Sequence, residues 1–183
     1  MSEARRRVIT AAIACFGARG YAATTIADIE QAAGLTPGAG GTYRHFPSKK
    51  AILAAVIDTI VGVPDDEIAP PGNDIEATAH ASLDYMNADM MRFFLRDLGD
   101  FPEHRQAITD RTVTGPYRIV AERIAEKNAS VDAEAAAAVV LGSLIHFRQN
   151  EVMIGEGANG VSQDRFVSTW AEIYRQLLDP QRE

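Results

Sequence analysis

The chain has 183 residues, 46% of them hydrophobic, one cysteine and a net charge of −7 at neutral pH. That apolar content supports a folded core and excludes global disorder; a lone Cys15 excludes an intramolecular disulfide, so a reducing cytoplasm is expected. The acidic total argues against a nucleic-acid partner until its distribution is read: residues 1–50 hold seven basic side chains against three acidic, and the remainder 11 against 22. A basic contact surface on an acidic body is the expectation. The N-terminus lacks the apolar core of a signal peptide, and the most apolar stretch, 135–147, is too short to span a bilayer. A soluble, cytoplasmic protein without a membrane partner is expected.

In chain order the pattern is helical, broken by Gly and Pro. A first helix is expected over 3–18, with Ile9, Ala12, Ile13 and Phe16 on one face and Gly20 at its end. Thr25 with Asp28 three residues on reads as a capping box opening a second helix, with Ile26, Ile29 and Ala33 inward and Gly34 as its stop. Thr36-Pro37 is a further start signal, predicting a third helix to about Phe46. Ser48 opens a fourth over about 48–62, and 62–73, rich in Pro and acidic residues, reads as a loop. Beyond it, helices are expected over 74–98, 102–112, 116–128, 132–154 and 162–178, with a break at Gly115-Pro116 and a glycine loop at 155–160. The fold class is therefore all-α, about nine helices.

Two short helices around a glycine turn, with basic residues just after, follow helix-turn-helix logic: the first braces and the second enters the major groove. The segment VITAAIACFGARGYAATTIADIEQAAGLTPGAGGTYRHFPSKKAIL carries an Ala-Ala-x-x-x-Phe face, Gly20-Tyr21 before Thr24-Thr25, the Ala33-Gly34-Leu35-Thr36 turn, and Tyr-Arg-His-Phe-Pro-Ser-Lys at its exit. Over these residues the sequence resembles the DNA-binding segment of the TetR family. The resemblance implies a three-helix DNA-binding unit at 1–50, a connecting helix at about 48–62, and a helical ligand-binding and dimerisation domain at 63–183. It implies that Thr25 touches phosphate and that Thr36, Pro37, Gly38 and Ala39 start the recognition helix. It further implies that Tyr43, His45 and Lys49 contact the DNA backbone and that Phe46 packs in the core. Gly40-Gly41 lengthens the stretch before Tyr43 relative to the family pattern, and adjacent glycines weaken a helix by about 1 kcal/mol each. A longer, bent or incompletely ordered recognition helix is the expectation. Residues 36–42 lack the Arg, Asn or Gln that usually read bases, so Arg44 is the nearby candidate, with DNA shape contributing.

The helix at 132–154 is apolar nearly all round, and a stripe of Phe166, Trp170, Ile173 and Leu177 follows. Together they predict a homodimer, and hence a palindromic double-stranded operator. Tyr85, Met86, Met90, Phe93 and Phe94, with His146 for polarity, are the candidate lining of a site for a small apolar effector, although each also suits an ordinary core. No cofactor is implied. His80 and Asp84 stand one helical turn apart, but no catalytic motif accompanies them, and the chain is not read as an enzyme. The expected function is a sequence-specific transcriptional regulator, a repressor released by its ligand. A helical dimeric ligand-binding protein with weak or lost DNA binding is the alternative.

Overall fold

A computed structural model of the chain describes residues 2–62 and 74–180. Among these residues it is all-helical, as expected: α1 (Glu3–Arg19), α2 (Ile26–Ala32), α3 (Lys49–Val61), α4 (Ile75–Tyr85), α5 (Ala88–Asp97), α6 (Pro102–Thr109), α7 (Gly115–Lys127), α8 (Ala133–Ile154) and α9 (Gln163–Leu178). Side chains at the helix starts do what their chemistry dictates. Ser48, Asp132 and Ser162 each accept from a backbone N–H three residues on, satisfying one of the four orphan donors of a helix N-terminus. Gly62 closes α3; the loop expected beyond it lies outside the described residues.

Three expectations are corrected. Residues 36–46 form turns rather than a regular helix, so the Thr36-Pro37 start signal opens no helix. Gly38 and Gly40 sit at φ +77° and +75°, left-handed conformations that no α-helix contains. The single helix expected over 74–98 is two, broken where Met86 adopts ψ 58° and the Asn87 N–H bonds to the Tyr85 carbonyl at 2.7 Å. Asn competes for its own backbone and favours helix ends, and the periodicity on either side concealed that. Gly115-Pro116 breaks nothing. A π-helical turn, Asp110–Thr114, joins α6 to α7, and the wider i→i+5 spacing takes in a proline that has no N–H to give.

The chain forms two compact units: Met1–Val63 with Ala88–Ile108, and Pro64–Asn87 with Thr109–Glu183. In the first, Val8, Ala12 and Phe16 of α1, Ile29 of α2, and Ile52, Leu53 and Val56 of α3 close a core that also takes Phe93 from α5 and Ile108 from α6. Gly17 lets α5 approach α1 closely: a Cβ there would lie 2.6 Å from Asp89 backbone atoms. In the second, Ala79 and Leu83 of α4, Val120 and Ile124 of α7, Val140, Leu144 and Phe147 of α8, and Val167, Trp170, Ala171 and Tyr174 of α9 form the core. On α9, Val167, Trp170, Ala171 and Tyr174 are buried, Phe166 and Leu177 of the expected stripe are partly buried against them, and Ile173 is 58% exposed. No described helix is long and apolar enough to cross a membrane.

Candidate nucleic-acid interface

The site is built on the turn between α1 and α2. Gly20, at φ +89°, ends α1 by donating its N–H to the Phe16 carbonyl. The Thr24 hydroxyl, fully buried, then reaches back to the Gly20 and Cys15 carbonyls at 2.7 and 3.1 Å. Thr25 and Asp28 form the expected capping box: the Asp28 N–H bonds to the Thr25 hydroxyl, and the Asp28 carboxylate accepts from the Thr25 N–H at 2.8 Å. Arg19 adds an ion pair at 2.8 Å. The Thr25 hydroxyl and N–H, followed by Arg19, hold the Asp28 pKa down at about 2.

Lys49, at the start of α3, turns inward. Its ammonium donates to the carbonyls of Tyr21, Thr24 and Ala22, at 2.8, 2.8 and 3.3 Å, and stands 4.4 Å from the Tyr21 ring centre. Three N–H donors meet three carbonyls, so the charge expected on phosphate is spent here on bracing the α1–α2 turn. From the other side of the same unit, Arg96 of α5 donates to the Phe16 and Gly17 carbonyls at the end of α1, and the Asp97 carboxylate accepts the Tyr21 N–H at 3.3 Å. These bonds fix the angle at which α2 leaves α1.

Beyond α2 the chain runs through Thr36, Pro37, Gly38 and Ala39, all exposed, and then through Tyr43, Arg44 and His45, also exposed. Thr42 and Phe46 are buried between and after them. One helical turn survives, in which the His45 and Phe46 N–H groups both bond to the Thr42 carbonyl at 2.9 Å. Phe46 packs in the core as expected, with the Arg5 guanidinium 4.9 Å from its ring centre. Thr25 is exposed at the N-terminus of α2, with its hydroxyl and N–H both on the Asp28 carboxylate. The structure therefore gathers Thr25, residues 36–39 and residues 43–45 in one unit, with Lys49 behind them.

Sequence reasoning missed Glu30, Thr24, Thr42, Arg96 and Asp97. Glu30 is 2% exposed on the inner face of α2, and its carboxylate accepts the Gly38 N–H at 2.8 Å. An acidic residue at an inward position of α2 was a legible anomaly. The partners of Arg96, some eighty positions away, left no local signal.

The six candidate effector residues do not share one unit. Phe93 is buried in the core of the first, its ring centre 5.9 Å from that of Phe16, and Met90 and Phe94 are partly buried against that core. Met86 packs on the core of the second, Tyr85 is exposed at the end of α4, and His146 is exposed on α8 beside Asn150 at 3.2 Å. Burial raises the Tyr85 pKa, with Arg111 opposing. His80 faces Gln163 at 3.1 Å, and no group of three His, Cys, Asp or Glu among the described residues is placed to hold a metal ion.

Residues 8–56 match the family described as bacterial regulatory proteins, tetR family. Over 63 residues the chain is 38% identical to the HTH-type transcriptional regulator YerO of Bacillus subtilis (strain 168), a stretch covering 34% of this chain and 21% of that one. The match thus spans about a fifth of that relative's length. The whole fold is similar to that of the fatty acid degradation regulator FadR from Bacillus halodurans, with a TM-score of 0.67 at 19% identity, over 100% of this chain and 98% of the other. It is equally similar to a transcriptional regulator from Saccharomonospora viridis in complex with choline, with a TM-score of 0.67 at 21% identity, over 99% and 98%. The N-terminal segment, residues 8–56, is thus similar to the tetR family of bacterial regulatory proteins.

Proposed function

We propose that the chain is a cytoplasmic transcriptional repressor that binds a palindromic double-stranded operator as a homodimer and leaves it when a small apolar effector binds. The observation that carries the reading is the braced first unit. Thr25, Thr36–Ala39 and Tyr43–His45 all stand exposed on a scaffold held by the capping box, by Lys49 and by Arg96. Its domain division follows: residues 1–50 read DNA, 48–62 connect, and 63–183 dimerise and sense. Thr25, Tyr43 and His45 suit phosphate, and Arg44 suits a base edge or a narrow groove. For the dimer, the support is exposed apolar surface on α8 and α9, where Val139 is 73%, Met153 74% and Ile173 58% exposed. A two-fold dimer on a palindromic operator needs its two reading units on successive major grooves, about 34 Å apart. For the effector, the support is that the similar solved proteins include one named for fatty acid degradation and one holding choline. An effector that prefers another separation of the reading units weakens DNA binding by the factor that DNA weakens effector binding, commonly about 5- to 150-fold.

The turns at 36–46 favour a second reading, a helical ligand-binding dimer with lost DNA affinity. One experiment separates the two. The full chain is used to enrich duplexes from a random library: an inverted repeat supports the regulator, and no enriched sequence supports the second reading.

A further inference from the structure

A carboxylate withdrawn from water is costly unless N–H and O–H donors replace its hydration. Glu30 is such a group, 2% exposed and pointing from α2 at the glycine-bearing turn. Its Oε2 accepts the Gly38 N–H at 2.8 Å. Thr42, itself fully buried, stands on the same carboxylate; its hydroxyl and N–H, after the Gly38 N–H, hold the Glu30 pKa below the ordinary glutamate range. Oε1 and the Thr42 hydroxyl lack a bond of good geometry, so the Gly38 bond is the firm contact. A Cβ at Gly38 or Gly40 would meet nothing within 4 Å, so glycine is needed there for its positive φ rather than for space.

Glu30 therefore pins the Gly38 end of the segment that replaces the expected recognition helix, and the buried Thr42 stands at the other end. Gly38 lies between the exposed Pro37 and Ala39, and Thr42 immediately precedes Tyr43, Arg44 and His45. The residue is 2% exposed and lies in the same unit as the two exposed groups that flank the turn. Phosphate contacts are blind to sequence, whereas base readout depends on where side chains and backbone meet the groove. We propose that Glu30 is a positioning residue that determines operator specificity, by holding the Gly38–Thr42 turn in the one shape that reads DNA. The inference rests on the DNA-binding reading above and adds to it the residue that replaces helical hydrogen bonding in the reading segment.

The test uses the full chain, the duplex that it enriches from the random library, and a scrambled duplex of the same composition, by fluorescence anisotropy at one salt concentration. Glu30→Ala removes the clamp; Glu30→Gln keeps the shape and an acceptor for Gly38 but loses the charge. In Glu30→Ala the ratio of enriched to scrambled affinity should fall about ten-fold or more, the discrimination of one base pair, while scrambled binding changes by no more than about two-fold. Glu30→Gln should fall between, and the Gly38 amide resonance should move in both. Glu30→Gln, the milder change, carries the test should Glu30→Ala fail to fold. A ratio unchanged in every folded variant, or both affinities falling in step, overturns the proposal. If the wild-type chain enriches no sequence, the DNA-binding reading itself has failed, and Glu30 has nothing to specify.

Discussion

Lys49→Met tests whether the α1–α2 turn is braced by charge. The substitution keeps most of the aliphatic stem and removes the ammonium from three carbonyls, two of them at 2.8 Å. A hydrogen bond to a charged group contributes about 1.5–3 kcal/mol. The third acceptor, Ala22, is exposed and regains water, and the other two regain part of theirs. The net loss should be about 2 kcal/mol, a roughly 30-fold drop in local folding equilibrium. The one tryptophan, Trp170, lies in the second unit, so its fluorescence reports on that unit alone. Urea unfolding should therefore show an earlier transition by far-UV circular dichroism than by Trp170 fluorescence. Amide exchange should quicken at Thr24 and through α2. Unchanged exchange in α2 and an unchanged dichroism midpoint would refute the bracing role.

Gly17→Ala forces a Cβ to within 2.6 Å of the Asp89 backbone and should destabilise the first unit by about 1–3 kcal/mol, read by the same urea titration. The Asp28 pKa, about 2, lies below the ordinary aspartate value of about 3.9, so its stabilisation is present above that value and lost as pH falls through 2. Asp28→Asn should then weaken α2 at pH 6 and make progressively less difference as pH falls below 2, measured by α2 amide exchange; a constant difference from pH 6 to below 2 contradicts the capping role. Val139→Asp combined with Ile173→Asp should convert a dimer to monomer at micromolar concentration in sedimentation, because a charge in each apolar face must be desolvated on association. Arg44→Ala should lower affinity for the enriched duplex and reduce the salt slope by about one if Arg44 neutralises a phosphate, or leave the slope unchanged if it reads a base.

The sequence carried the helical class and most helix starts, because a Ser, Thr or Asp before an apolar run caps its own helix by contacts three residues long. Thr25 with Asp28, Ser48, Asp132 and Ser162 all act within that reach. It misled at Thr36-Pro37, where the same start signal was overruled by Gly38 and Gly40 and by a carboxylate on the preceding helix. It hid the break at Met86-Asn87, because apolar residues continue at helical spacing on both sides. Lys49 was legible as a functional residue, but not in its direction: three carbonyls between 21 and 24 are only brought under it by the fold. The same holds for Arg96 and Asp97, whose partners lie at the end of α1. Phe93 reads as adaptable lining and lies in a core, with Phe94 partly buried against it, a distinction that residue type alone does not make.

The most direct test of the central claim is the salt dependence of DNA binding by the full chain. With an enriched duplex, the logarithm of the association constant should fall linearly with the logarithm of salt concentration, about 0.9 for each phosphate neutralised. Two reading units, each bringing the Arg44 guanidinium to a phosphate while the uncharged Thr25 and Tyr43 add hydrogen bonds, predict a slope of about two. No binding at low salt, or a slope near zero, would contradict the account.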